Sequence, residues 1–227
     1  MNVHYSHLYF ICLWTTFCFG TKQEGIIKPS QYNVRENDVK KLLSGPHHLI
    51  ISRAIYERPD YPLCVRSHFI SLSDVGFRHK LSYKEKDFKG PRIRGIRQYR
   101  NAYYHVQKLK TVFLFVANAF KDTHQVDPRV SGSYNIYYAN EICFIAGTHL
   151  PGNRYTFESN ALPRPTGNAA CLLWRLARAK EHERISCRAA FRRFCSRSLG
   201  HKVYYTKETC GSQNDRNETS PVGAKLN

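Results

Sequence analysis

Apolar and polar residues alternate most regularly over residues 63–73. Leu63, Val65, Ser67, Phe69 and Ser71 fall on one side, and Cys64, Arg66, His68, Ile70 and Leu72 on the other. A period of two marks a strand. Asp74 and Gly76 supply a turn and residues 77–83 read as the returning strand, so the pair forms a hairpin. The same reading predicts strands at 47–56, 102–110, 111–120, 133–138, 142–146 and 170–176, and a short one at 203–206. Asn37-Asp38 followed by Val39, Leu42 and Leu43 predicts a short N-capped helix that Gly45-Pro46 ends. Residues 180–197 contain no Pro or Gly, and Cys187, Phe191, Phe194 and Cys195 recur at helical spacing. Arg184, Arg188 and Arg192 make an i, i+4 row on another face of that helix. Residues 148–167, rich in Pro and Gly, form a long loop. About eight strands joined by turns, with a short helix before and a longer one after, predict an all-β fold: an eight-stranded antiparallel up-and-down barrel. A barrel of that size holds one small ligand.

Residues 8–19 form an apolar run of about twelve residues, shorter than the roughly 20 needed to span a bilayer. With Gly20 at the cleavage point, residues 1–20 read as a secretory signal peptide, although the positive charge ahead of the run is only the amino terminus, His4 and His7. The alternative is a buried N-terminal element. Removing the leader leaves a domain at 21–211, a polar tail at 212–227 expected to be disordered, and six cysteines: Cys64, Cys143, Cys171, Cys187, Cys195 and Cys210. An even number in an oxidising compartment points to disulfides in a secreted, extracellular protein. Cys187 and Cys195 share a helix face about 12 Å apart, beyond the roughly 7 Å that a disulfide spans. Each must therefore reach another element.

The chain carries a formal net charge of +18. Such a charge bears on partners more than on fold and invites glycosaminoglycan, an acidic host protein, anionic lipid or nucleic acid. Secretion and the lack of a basic–aromatic motif argue against nucleic acid. A basic strip at 84–100 (Lys84, Lys86, Lys89, Arg92, Arg94, Arg97 and Arg100) and the Arg184 row are candidate anion-binding surfaces, or simply solvated faces. No nucleophile elbow, phosphate-cradling loop, Cys-x-x-Cys or His-Glu-x-x-His motif is present, so no enzyme and no cofactor are expected. His47 and His48 would point to opposite faces of a strand, and no metal site is expected. Asn217-Glu218-Thr219 is a glycosylation sequon on the tail.

The order of features resembles the tick salivary lipocalins of the histamine-binding type. The resemblance is carried by Cys64 in an early strand, Tyr137-Tyr138 before Cys143, Cys171-Leu172-Leu173-Trp174, then Cys187, Phe191 and Cys195, and Val203-Tyr204-Tyr205 before Cys210. It implies a lipocalin barrel with Cys64–Cys210 and Cys143–Cys187 bonded, leaving Cys171 with Cys195. It also implies sequestration of a small host mediator, either a biogenic amine such as histamine or a leukotriene-type lipid.

Amine binders of that family resemble one another in an Asp after the cysteine that Cys143 matches and a Glu before the Leu-aromatic pair. A buried ammonium needs such a carboxylate partner. Here Phe144 and Leu172 stand at those two places. The expected ligand is therefore apolar or anionic, and Glu158, Glu141 and Asp60 are the acids that would have to serve an amine. Phe144, Leu172 and Trp174 are the expected lining, with Arg66 and His68, and beside them Arg78 and His79, as candidates to meet an acidic head group. Trp174 reads equally as a plug at the barrel base.

Overall fold

The computed structural model describes residues 36–85, 96–109, 112–148 and 165–211. The expected leader, the tail with Asn217, residues 86–95 of the basic strip and residues 149–164 of the long loop, including Glu158, lie outside the described residues. Helix α1 (Glu36–Ser44) precedes eight strands: β1 (Leu49–Tyr56), β2 (Leu63–Ser73), β3 (Gly76–Lys84), β4 (Arg97–Leu109), β5 (Val112–Phe120), β6 (Gly132–Ala139), β7 (Cys143–Gly147) and β8 (Ala169–Leu176). Helix α2 (Arg184–Cys195), strand β9 (His201–Tyr204) and a single helical turn, α3 (Lys207–Cys210), complete the described residues. No helix among the described residues is long and apolar enough to cross a membrane.

Strands β2 to β8 pair antiparallel in chain order, and β1 bridges β8 and β2, so the eight close into an up-and-down barrel. The closure is uneven. Strand β1 meets β2 only at Leu49↔Ser67 and Ile50↔Arg66. Further along, Arg53 to Tyr56 pair with β9 instead. The C-terminal strand thus occupies the wall where β1 and β2 part, and its Val203 packs on the interior cluster.

Alternation decides what faces inward. Val65, Leu81, Tyr83, Tyr104, Phe115, Phe144, Leu172 and Trp174 belong to one buried cluster inside the barrel, which Val39, Leu42 and Leu43 of α1 close at one end. A second cluster lies outside the wall. There Ile145 and Leu173 pack with Cys187, Ala190 and Phe191 of α2. Arg192 and Arg193 stay exposed in the last turn of that helix, where positive charge suits the carbonyl end. A third, small cluster joins Leu63 and Cys64 to Cys210.

Three disulfides tie these layers together: Cys64–Cys210, Cys143–Cys187 and Cys171–Cys195. The two helix cysteines reach β7 and β8 and not each other, as their spacing requires. Strand β4 starts five residues earlier than its apolar pattern predicts, because Arg97 and Arg100 continue the ladder opposite Lys84 and Leu81.

Candidate functional site

The barrel has two different ends. The connections 57–62 and 121–131 lie at one end, the mouth, where β3 and β7 end and β4 and β8 begin, while α1 covers the other. Near the α1 end the interior holds a hydrogen-bonded polar triad of His79, Ser67 and Tyr104. His79 Nε2 lies 2.8 Å from the Leu43 carbonyl, which can only accept, so that nitrogen carries the hydrogen. Nδ1 then accepts from the Ser67 hydroxyl at 3.0 Å, and Ser67 accepts from the Tyr104 hydroxyl, also at 3.0 Å. Burial pushes the His79 imidazole down to about 4, the Leu43 bond opposing and His68 adding to the shift, so the ring is neutral at pH 7.

Above this triad the interior is aromatic. Phe144 and Trp174 stack with centroids 6.1 Å apart and planes 9° from parallel, and Phe115 meets both edge-on. Phe115 and Trp174, with Ile51, Tyr56, Val65, Leu81, Tyr134 and Leu172, line a cavity of only about 10 Å³, room for about one water; Phe144 packs in the same interior cluster but is not among the lining residues. Trp174 is 4% exposed, and its indole N–H has no hydrogen-bond partner. A buried donor left unpaired costs about 1–3 kcal/mol.

At the mouth, the 121–131 loop folds over the cavity. Val130 and Arg129 reach its lining, and Arg129 is the one charged residue there. Asp127 pins this loop. It is 1% exposed and accepts from the Tyr83 hydroxyl at 2.6 Å, Arg100 Nε at 2.7 Å and the Arg129 backbone N–H at 3.2 Å. Burial alone would raise its carboxyl, but the bonds from Tyr83 and Arg100 hold it below the ordinary range. Burial and the Asp127 bond push the Tyr83 phenol up to about 12. The Arg129 guanidinium pairs with Glu85 at the rim.

Of the residues singled out by sequence, Phe144, Leu172 and Trp174 come together inside the barrel. Arg66 and His68 do not join them, because Val65 and Ser67 take the inward positions of β2. Arg66 lies over the Tyr205 ring, donates to its hydroxyl at 2.6 Å and to the Cys210 carbonyl at 3.2 Å, and so fastens the C-terminal segment. His68 stacks on His48 at 4.5 Å. Arg78 is exposed, and His79 is interior but committed to the α1 end. Asp60 pairs with Arg58 on the surface, and Glu141 is exposed at the turn between β6 and β7, the end away from the mouth. Arg129, Asp127, Tyr83 and Tyr134 were not found by sequence reading. No local signal marks them, since their roles come from contacts between distant segments.

Among the described residues, a concentrated basic group lies beside α2. Arg188 and Arg184 share the Glu181 carboxylate at 2.5 and 3.6 Å. Beside them Arg175 is 8% exposed and donates to the Leu176 and Ala177 carbonyls. Burial and then the nearby Arg184 lower Arg175 to about 10. Three guanidiniums thus surround one carboxylate. By contrast, Arg100 of the basic strip is turned inward to Asp127, and Arg97 donates to Ser82 at 3.0 Å.

No family model matches the chain, and no curated protein matches it. Among solved structures the chain is similar to Japanin from Rhipicephalus appendiculatus bound to cholesterol. The two are 12% identical with a TM-score of 0.42, over 72% of this chain and 93% of that one. A likeness of that size carries no inference; the closed barrel rests on its own ladder of strand pairs.

Proposed function

We propose that this chain is a secreted lipocalin-type carrier that takes a small, largely apolar ligand into the barrel interior and sequesters it. The observation that carries the reading is the Trp174 indole N–H, buried and without an acceptor beside a small cavity that opens toward the mouth. A packed core has no need of an unpaired donor, whereas a ligand bearing a carbonyl, hydroxyl or carboxylate supplies the missing acceptor. The lining favours such a molecule over an amine: Phe144 and Leu172 are buried and bring no carboxylate, and the lining residue that bears charge is a cation.

The chain contains two tryptophans, Trp14 in the expected leader and Trp174. The mature protein therefore reports ligand entry through a single fluorophore. Titration with a fatty acid, with cholesterol (the ligand in the similar structure) and with histamine should quench or shift that emission for one of the lipids and leave it unchanged for histamine. Silence toward every lipid, together with no retained adduct in a native mass spectrum of the secreted protein, would remove the carrier reading.

The basic group of Arg175, Arg184 and Arg188 favours a second reading, a binder of sulfated polysaccharide or an acidic host protein at the wall outside α2. Elution from immobilised heparin should then fall to lower salt in Arg184→Gln/Arg188→Gln, since surface attraction is screened over about 10 Å at 0.1 M salt. Elution unchanged by the double substitution would reject that surface.

A further inference from the structure

We propose that Arg129 is the receptor for an acidic head group, and that Glu85 is a resident counter-ion which the incoming ligand displaces. This rests on the carrier reading and specifies the class of ligand: an amphiphile with an apolar body and one anionic end. The lining residues run from mid-strand, where Phe115 and Trp174 meet, to Arg129, Val130 and Pro62 in the mouth loops. Among the described residues, every one that lines the cavity except Arg129 is apolar or a neutral tyrosine. A cation at the rim of an apolar cavity needs an anion, and the rim supplies one: Glu85 pairs with the Arg129 guanidinium. The pair is poised for exchange, because the Arg129 side chain is 34% exposed and that of Glu85 is 41% exposed.

The neighbouring pair differs. Arg100 and Asp127 are 10% and 1% exposed, and Asp127 is fixed by three donors. It remains in place while Glu85 yields. Because the backbone N–H of Arg129 is held by Asp127, the Arg129 backbone stays at the mouth after Glu85 leaves, and its side chain remains within reach of the cavity that it lines. Glu85 then swings into solvent, and no net charge is buried by the exchange.

The test uses the full mature protein with its disulfides intact, Trp174 emission as readout, and palmitate and methyl palmitate as probes. The acid should bind at least about ten-fold tighter than the ester, as expected when a charge-assisted pair replaces a neutral contact. Arg129→Gln should weaken palmitate until acid and ester bind alike. Glu85→Gln, which removes the competitor and keeps the receptor, should strengthen palmitate and leave the ester unchanged. Equal binding of acid and ester to the wild type overturns the head-group assignment and leaves the carrier standing. So does an acid preference that survives Arg129→Gln, or palmitate affinity indifferent to Glu85→Gln. Failure of both probes to bind overturns the assignment, and the carrier reading falls with it when cholesterol is silent too and no adduct is retained.

Discussion

Replacing Asp127 by Asn tests whether the mouth loop is pinned by charge or merely packed. The substitution preserves size, so no cavity arises and the effect is electrostatic. Arg100, whose side chain is 10% exposed, loses the carboxylate 2.7 Å away. One of the three donors now aimed at Asp127 (Tyr83, Arg100 or Arg129) must also face an amide nitrogen that cannot accept. Removing one partner of a buried pair costs about 3–5 kcal/mol. Arg100 keeps the Tyr99 carbonyl at 2.6 Å, so the lower end, about 3 kcal/mol, is expected. The assay is urea unfolding at pH 7 followed by Trp174 emission. A double cycle with Arg100→Gln should recover at least about 1.5 kcal/mol of the summed single costs, because the uncompensated cation is then gone. The pH dependence has a definite sign. Since the folded carboxyl is held below its ordinary range, its contribution is complete above about pH 4 and is lost as pH falls through the folded value. Wild type and variant should converge in acid. A cost below about 1 kcal/mol at pH 7, or a gap between the two that stays constant down to pH 2, would refute the pinning argument.

Four further outcomes follow from the same structure. Buried neutral His79 must gain a proton in acid: its folded pKa of about 4 against an unfolded value near 6.5 means stability is fully present above about pH 6.5, declines by about 3 kcal/mol toward pH 4, and then levels; His79→Gln should flatten that limb in a pH series of urea melts. Cys64→Ser/Cys210→Ser should cost about 2–4 kcal/mol and expose the β9 amides to faster hydrogen exchange while those of β3 to β6 stay protected, because without the clasp only the pairing with β1, the Val203 contact and the Arg66 bonds to Tyr205 and Cys210 hold this segment to the wall. Gly167→Ala should destabilise by about 1–3 kcal/mol in the same melts, since a Cβ there would lie 1.9 Å from the Tyr134 ring. Phe115→Ala should cost about 3–5 kcal/mol and, by opening space beside Trp174, increase lipid capacity in the native mass spectrum.

The wall was legible because its strands either alternate, as β2 does, or form short continuous apolar runs, as β5, β7 and β8 do. Strand β2 is bounded at Leu63 and Ser73 in pattern and structure alike. Which of its faces turns inward was not legible. Both faces mix polar and apolar residues, and inward Ser67 looks no more buried in sequence than outward His68. Its place is explained by two partners, His79 and Tyr104, that lie 12 and 37 residues away. The same blindness assigned Arg66 to the ligand, whereas its donors serve Tyr205 and Cys210, 139 and 144 residues on. Strand β4 was cut short at its basic start because charge was read as loop, yet Arg100 is buried by an ion pair with Asp127, 27 residues away. Where apolar residues cluster locally, Phe144, Leu172 and Trp174 were picked out without long-range knowledge; they share the interior cluster, and Leu172 and Trp174 reach the cavity.

The interior must serve as core and as candidate site at once, and the architecture separates those demands. Rings that would have to move for a ligand, Phe115, Phe144 and Trp174, are also the main filling of the barrel. If the barrel alone held the fold, loosening them would threaten it. Stability is instead supplied from outside as well. Ile145 and Leu173 on the outer faces of β7 and β8 pack on α2, and two disulfides fix that helix to the same two strands. Each such bond contributes about 2–4 kcal/mol, comparable to what one displaced core ring would cost. The helix layer braces the wall opposite the ring stack, and the Cys64–Cys210 clasp holds β9 in the wall between β1 and β2. A barrel braced on its outer surface tolerates rearrangement of its inner one, which explains how a cavity of about 10 Å³ is compatible with a carrier.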